Sequence, residues 1–259
     1  MGSECEIYAM GVSAAALDDA EAWVQERHHR FTRFESGSEL SRLNAAAGAW
    51  MPISTELEAL LHLALDAHTE SAGLVHAGVL PALEAAGYTR TFAAGPTVAT
   101  LDRSRPLQPL PELLEIDVGR ARVAPGAALD LGGLAKGWLA DRCSERLGAN
   151  ALVNLGGDLR ARGPGPGGEG WAVGFGDRTV LLWDMGAATS GTTRRRWGAG
   201  LHHLIDPRTG LPADSDLEEV SVLARSAADA EILAKTALLL GRDRAGAWLR
   251  GRALGWSLG

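Results

Sequence analysis

Apolar residues recur along the chain in two periods, and the switches between them predict most of its elements. Ala16, Ala20, Trp23 and Val24 stand three and four apart, which predicts an amphipathic helix over 13–30 with Ser13 as its cap. A short helical turn is expected over 38–43, ahead of the Gly48 break. Leu57, Leu60, Leu61 and Leu65 line one face of a helix over 55–72. A shorter helix over 79–86 closes at Gly87, and further helices are expected over 137–147 and 227–240.

Period-two or continuous apolar runs predict strands over 4–10, 114–118, 151–155 and 219–224. Two more, 171–175 and 179–183, flank a tight turn at Gly176-Asp177, and 243–258 holds one more helix and a final strand. Between 91 and 125, short apolar stretches broken by Pro, Gly and Arg predict a small sheet region. The stretch GPGPGGEG at 163–170 forbids regular structure. Strands and helices are mixed throughout, which gives an α+β class of mixed α/β layers. The expected organisation is a single domain over 1–259, or two closely packed subdomains.

Composition narrows the class. Hydrophobic residues at 46% and charged residues at 22% describe an ordinary globular chain, and a formal net charge of -7 argues against nucleic acid as the main partner. No run approaches the ~18 apolar residues of a membrane helix. Cys5 and Cys143 lie far apart without metal-ligand spacing, which suits structural thiols in a reducing compartment. As given, the chain reads as cytoplasmic, although a removed leader would leave no trace.

Candidate chemistry gathers at glycine turns. In LDLGGLAKGWLADR at 129–142, Asp130 and Gly132-Gly133 precede a helix beginning near Leu134, so backbone N–H groups and the positive end of the helix dipole can hold an anion. Lys136, in the first turn, suits a phosphate or a ligand carbonyl; the alternative is a turn in which glycine only permits close packing. A second pair, Gly156-Gly157, follows the strand over 151–155, and Asp158 comes next. Arg194, Arg195 and Arg196 beside Gly191 suit a phosphate clamp or a solvated loop. Of His202 and His203, one can serve as a general acid or base, with a buried structural histidine as the alternative. Asp206, Asp229 and Glu231 are candidate oxygen ligands for Mg²⁺. GxGxxG, the P-loop pattern, GxSxG and HExxH are all absent.

Six segments taken in order, SELSRLN at 38–44, LDLGGLAKGW at 129–138, LVNLGGDL at 152–159, ATSG at 188–191, HHLIDPRTG at 202–210 and AEILAKTALLLG at 230–241, resemble the ApbE family along nearly the whole chain. The resemblance implies an ApbE-like flavin transferase fold. It also implies an enzyme that moves FMN from FAD, through a phosphoester, onto a Ser or Thr of a target flavoprotein with Mg²⁺ assisting and AMP released. By the same resemblance Met1, Phe34, Val75, His76, Asp130, Lys136 and Ile205 fall at cofactor-contacting positions. The Gly133 carbonyl and Glu231 fall at metal-ligand positions, and His203 at that of an acid/base group. Two departures stand out. Val75-His76-Ala77-Gly78 replaces the family's Phe-Asp-Pro-Thr, and Lys235 stands where the family has a metal-binding threonine. An ammonium there would repel Mg²⁺ or replace it as a point charge. The rival expectations are a divergent FAD-binding protein or FAD pyrophosphatase, and a module binding a phosphorylated or acidic partner through Arg194–Arg196.

Overall fold

In the computed structural model, which describes residues 4–176, 178–198 and 200–259, the elements follow the apolar periods closely. Strand β1 (Cys5–Ala9) leads into helix α1 (Ala14–Phe31), α2 (Glu39–Ala45), β2 (Met51–Pro52) and α3 (Thr55–Glu70). Ser13, Ser38 and Ser54 each accept the backbone N–H three residues on, which fixes where the three helices start. A 3₁₀ turn over Ala77–Val79 runs into α4 (Leu80–Ala85), so the helix expected over 79–86 is shorter and begins at a tighter turn. Next come α5 (Leu110–Leu113), β3 (Leu114–Asp117), β4 (Arg120–Val123) and α6 (Ala135–Leu147).

The second half is mostly strand. It runs β5 (Ala151–Leu155), β6 (Asp158–Arg162), β7 (Trp171–Phe175), β8 (Arg178–Leu182) and β9 (Met185–Gly191). Two short ribbons follow, β10 (Arg196–Trp197) with β11 (Leu201–His202) and β12 (Ile205–Asp206) with β13 (Leu211–Pro212). Then come β14 (Glu219–Ala224), α7 (Ala227–Leu240), α8 (Arg242–Leu249) and β15 (Gly255–Leu258).

Six strands form one antiparallel sheet in the order β1-β5-β6-β9-β14-β15. Its register divides the side chains by face. Ala151, Val153 and Leu155 point to the main core with α1 and α6, while Leu152, Ala161 and Ala187 point to the opposite face, beneath the β7–β8 hairpin with Trp171, Val173 and Leu182. Leu155 pairs with Asp158, which places that carboxylate on the helix side of the sheet. The small sheet expected between 91 and 125 is β2-β4-β3. The mixture of helices and antiparallel sheets is α+β. Among the described residues, no helix is long and apolar enough to cross a membrane.

The strands missing from the expectation have a common reason. β9, MGAATSG, is built from small residues that carry little strand preference, yet a methyl at Gly186 would run into the backbone of Ser226 and Ala227. Small residues there let α7 lie directly on the sheet. β6 opens on a charged residue, and β10 to β13 are only two residues long.

Candidate active site

Helices α6 and α7 meet at their N-terminal ends, and each caps the other. Asp141 on α6 accepts the N–H groups of Ala227 and Ala228 at 2.9 and 3.0 Å, and Glu231 on α7 accepts the N–H of Gly137 at 3.1 Å. Gly137 makes the approach possible, because a Cβ there would stand 2.7 Å from the Ala227 carbonyl oxygen and 2.9 Å from the Ala228 Cα. The LDLGGLAKG segment reaches this junction already fixed. Asn44, the last residue of SELSRLN, holds both the N–H and the carbonyl of Leu129, at 2.8 and 2.9 Å. The Asp130 carboxylate then accepts the N–H of Gly132 at 2.7 Å and the Arg33 guanidinium at 2.6 Å.

The Gly156-Gly157 pair is the two-residue turn of the β5–β6 hairpin. Both glycines have positive φ, 70° and 98°, which that turn demands. Asn154 accepts the N–H of Gly157 at 2.9 Å and completes the turn, which delivers Asp158 to the α6–α7 junction.

There four ionic side chains interlock. The Lys136 ammonium bonds the Asp158 carboxylate and lies 3.2 Å from Glu231 Oε1, and the Lys235 ammonium bonds the Gly133 carbonyl and lies 3.7 Å from the same Oε1. The carboxylates of Asp158 and Glu231 are 2% and 4% exposed. Burial alone would lower Lys136, but Asp158 and Glu231 outweigh it and hold the ammonium above its ordinary range. Burial pushes the Asp158 carboxyl up to about 7, and the like charge of Glu231 adds to it. Glu231 goes the other way: burial would raise it, yet Lys136 and Lys235 hold it below the ordinary carboxylate range. Lys235 is lowered, by burial first.

One cleft opens over this junction. Phe34, Val75, His76, Asp130, Gly133, Lys136, His203, Ile205, Glu231 and Lys235 all line it, together with Asp158, Arg194, Arg195 and Tyr88. Met1, named at the sequence level, lies outside the described residues. The cleft's cavity volume is about 200 Å³. Its apolar end is aromatic. Phe34 and Tyr88 line it with ring centroids 5.7 Å apart, buried Trp197 backs Tyr88 at 5.6 Å, Ile205 packs beside them, and Arg33 lies over both Phe34 and Tyr88. Its polar end holds the four ionic groups and the two arginines.

Several residues take narrower roles than their spacing suggests. His76 donates to Gln108 through Nε2 at 2.9 Å and accepts the Gly78 N–H through Nδ1 at 3.0 Å, so both nitrogens are consumed by the backbone. Val75 faces the main core. Lys136 lines the cleft with two of its three donors directed at Asp158 and Glu231. His202 is the structural histidine, bonded to the Ala213 carbonyl at 3.0 Å. His203 is half-buried in the cleft wall, its Nδ1 is enclosed without a hydrogen-bond partner, and burial, then the charge of Arg195, holds its pKa well below 6.5. Asp206 is held by Arg208 at 2.7 Å and Asp229 is exposed, so neither joins Glu231 in a ligand set.

Asp158 and Tyr88 line the cleft and Arg33 holds Asp130 there, although spacing alone did not single them out. The signals were a lone arginine between Phe31 and Phe34, and an aspartate directly after a Gly-Gly turn at the head of a strand.

Magnesium does not fit the oxygens present. The Gly133 carbonyl and Glu231 would supply its ligands, but the Lys235 ammonium already bonds that carbonyl and stands 3.7 Å from Glu231 Oε1. Two bonds from one oxygen put the metal and Nζ no more than about 5 Å apart, a repulsion of about 7 kcal/mol at an effective dielectric of ~20. Among the described residues, no group of three His, Cys, Asp or Glu side chains clusters as a metal site.

The chain is similar to known proteins along most of its length. The chain is 31% identical over 268 residues to an FAD:protein FMN transferase of Treponema pallidum, covering 91% of this chain and 74% of that protein. It is 27% identical over 264 residues to an FAD:protein FMN transferase of Haemophilus influenzae, covering 88% of this chain and 73% of that one. The solved ApbE protein of Thermotoga maritima shares the fold, with a TM-score of 0.87 at 23% identity over 99% of this chain and 91% of that chain. The model of the ApbE family matches residues 1–255, and the chain belongs to the ApbE family.

Proposed function

We propose that this chain is an FAD:protein FMN transferase, which moves the FMN part of FAD onto a hydroxyl of a protein acceptor and releases AMP. The observation that carries the reading is the single cleft that joins an aromatic end to a cationic end beside His203. The aromatic end, Phe34 and Tyr88 with Trp197 packed behind Tyr88, suits a flat ring system. The other end suits a pyrophosphate: Arg194 and Arg195 supply guanidinium groups, and Lys235 supplies an ammonium. The names of the relatives support the same chemistry.

The step balances as a displacement at phosphorus. The acceptor Oγ forms a bond to the FMN phosphorus, the bridging P–O bond to AMP breaks, and the hydroxyl proton passes to His203. The unbonded Nδ1 and the depressed pKa keep that imidazole neutral, as a base must be. Charge that builds on the phosphoryl oxygens meets Lys235, Arg194 and Arg195. Arg194 and Arg195 line this cleft, so the arginine loop serves the same ligand and needs no separate partner.

The reading is tested by incubating the purified chain with FAD and a flavoprotein bearing an accessible acceptor Ser or Thr, then resolving the acceptor under denaturing conditions. Flavin fluorescence retained on the acceptor is expected. Free FMN and AMP with an unlabelled acceptor would show a pyrophosphatase instead, and unconsumed FAD would leave only a binding protein.

A further inference from the structure

We infer that the ammonium of Lys235 is the resident cation of the ionic end of the cleft and stands in place of a divalent metal, so that this chain acts on FAD without one. The inference rests on the transferase reading for its substrate but on separate observations for its cation.

The first observation is position. Lys235 lies one helical turn beyond Glu231 on α7, its side chain 14% exposed, and its Nζ donates to the Gly133 carbonyl. The lysine tip lies directly over the turn, where a Cβ on residue 133 would meet its Nζ and Cε. An ammonium carries three donor hydrogens. One is spent on Gly133, and the Glu231 oxygen at 3.7 Å lies beyond hydrogen-bond reach, so donors remain for the oxygens of a ligand in the cleft.

The second observation is charge. Asp158 and Glu231 bring two negative charges into a nearly closed corner, and Lys136 and Lys235 bring two positive ones. With Asp158 ionised the corner is neutral, and with that carboxyl raised to about 7 it holds no excess of negative charge. A divalent ion added to it would leave two uncompensated positive charges away from water, which is costly. Removing the Lys235 ammonium has the opposite effect. It leaves the Gly133 carbonyl and the Glu231 carboxylate facing a vacated space, and such oxygens are the donors a hard cation takes. The lysine therefore holds a cation-shaped place by filling it.

The test uses the full-length purified chain, stripped with EDTA and verified free of metal by elemental analysis, alongside Lys235→Ala. In titrations with MnCl₂ alone, the parent protein is expected to bind no ion and to keep its melting temperature, while Lys235→Ala takes up one Mn²⁺ and melts higher with it. In FAD turnover, the parent is expected to run within twofold in EDTA and in MgCl₂. Lys235→Ala should lose a hundredfold or more in EDTA and recover part of it with Mg²⁺ or Mn²⁺. A parent protein that binds one Mn²⁺ competitively with Mg²⁺, or whose turnover falls tenfold in EDTA and returns with Mg²⁺, overturns the inference. So does a folded Lys235→Ala that ignores Mn²⁺. Should circular dichroism show that Lys235→Ala does not fold, Lys235→Met keeps the side-chain stem and the parent titration still decides. If no FAD is consumed under any condition, the transferase reading fails, while the Mn²⁺ titrations still judge the cation.

Discussion

His203 is a neutral imidazole at the pH of most assays, and the reason is local. Its Nδ1 is enclosed without a partner, and burial with the nearby charge of Arg195 disfavours the imidazolium form. The sign follows directly. A base with a depressed pKa keeps its active form through pH 6.5 and loses it only as the pH falls well below that value. The acidic limb of kcat/KM for FAD is therefore expected below pH 6.5, and a limb centred at or above 6.5 would contradict the assignment. His203→Ala should reduce kcat by roughly 10²–10⁴-fold while FAD affinity, measured by flavin fluorescence, stays nearly unchanged. Arg195→Ala should do the converse, weakening FAD binding by roughly 10- to 100-fold, the worth of one or two charge-assisted hydrogen bonds. At this scale the sequence named the residues better than their jobs. Spacing pointed to Lys136 and to the two histidines. It could not show that the ammonium of Lys136 is taken by Asp158, 22 residues away, or that His76 spends both nitrogens on the backbone.

Among the elements, the α6–α7 crossing sets the geometry of the ionic corner. Each helix start is capped by a carboxylate of the other helix, and Gly137 is the point of closest approach. Gly137→Ala forces a methyl into the backbone of Ala227 and Ala228, and it is expected to cost about 1–3 kcal/mol in denaturant unfolding, as overpacking does. A stability equal to the parent's would show that the crossing is looser than its distances imply. Long, strongly periodic elements were legible from the chain alone: α1, α3 and α7 lie where apolar periodicity placed them, α1 begins at its expected Ser13 cap, and β5 and β14 lie where apolar runs placed them. β9 was not legible. Gly186, Ala187 and Ala188 are there for the helix above them, a requirement of packing that no local pattern carries. The Gly132-Gly133 and Gly156-Gly157 turns were visible as turns, but that both converge on one lysine-carboxylate cluster is a property of sheet register.

On the scale of the molecule, a chain with a net charge of -7 keeps a cationic end inside one cleft. Negative charge elsewhere does not prevent an anionic substrate from binding, because screening over a Debye length of ~8 Å at physiological salt leaves the local guanidinium and ammonium groups in control. Two-ended recognition follows: rings at Phe34 and Tyr88, and phosphates at Arg194, Arg195 and Lys235. The measurement that tests this account most directly is the stoichiometry of consumed FAD, read by intact-mass spectrometry of the acceptor together with chromatography of AMP and FMN. The account predicts one AMP released for each FMN bound covalently to the acceptor and negligible free FMN. AMP released in step with free FMN, with the acceptor mass unchanged, would contradict it.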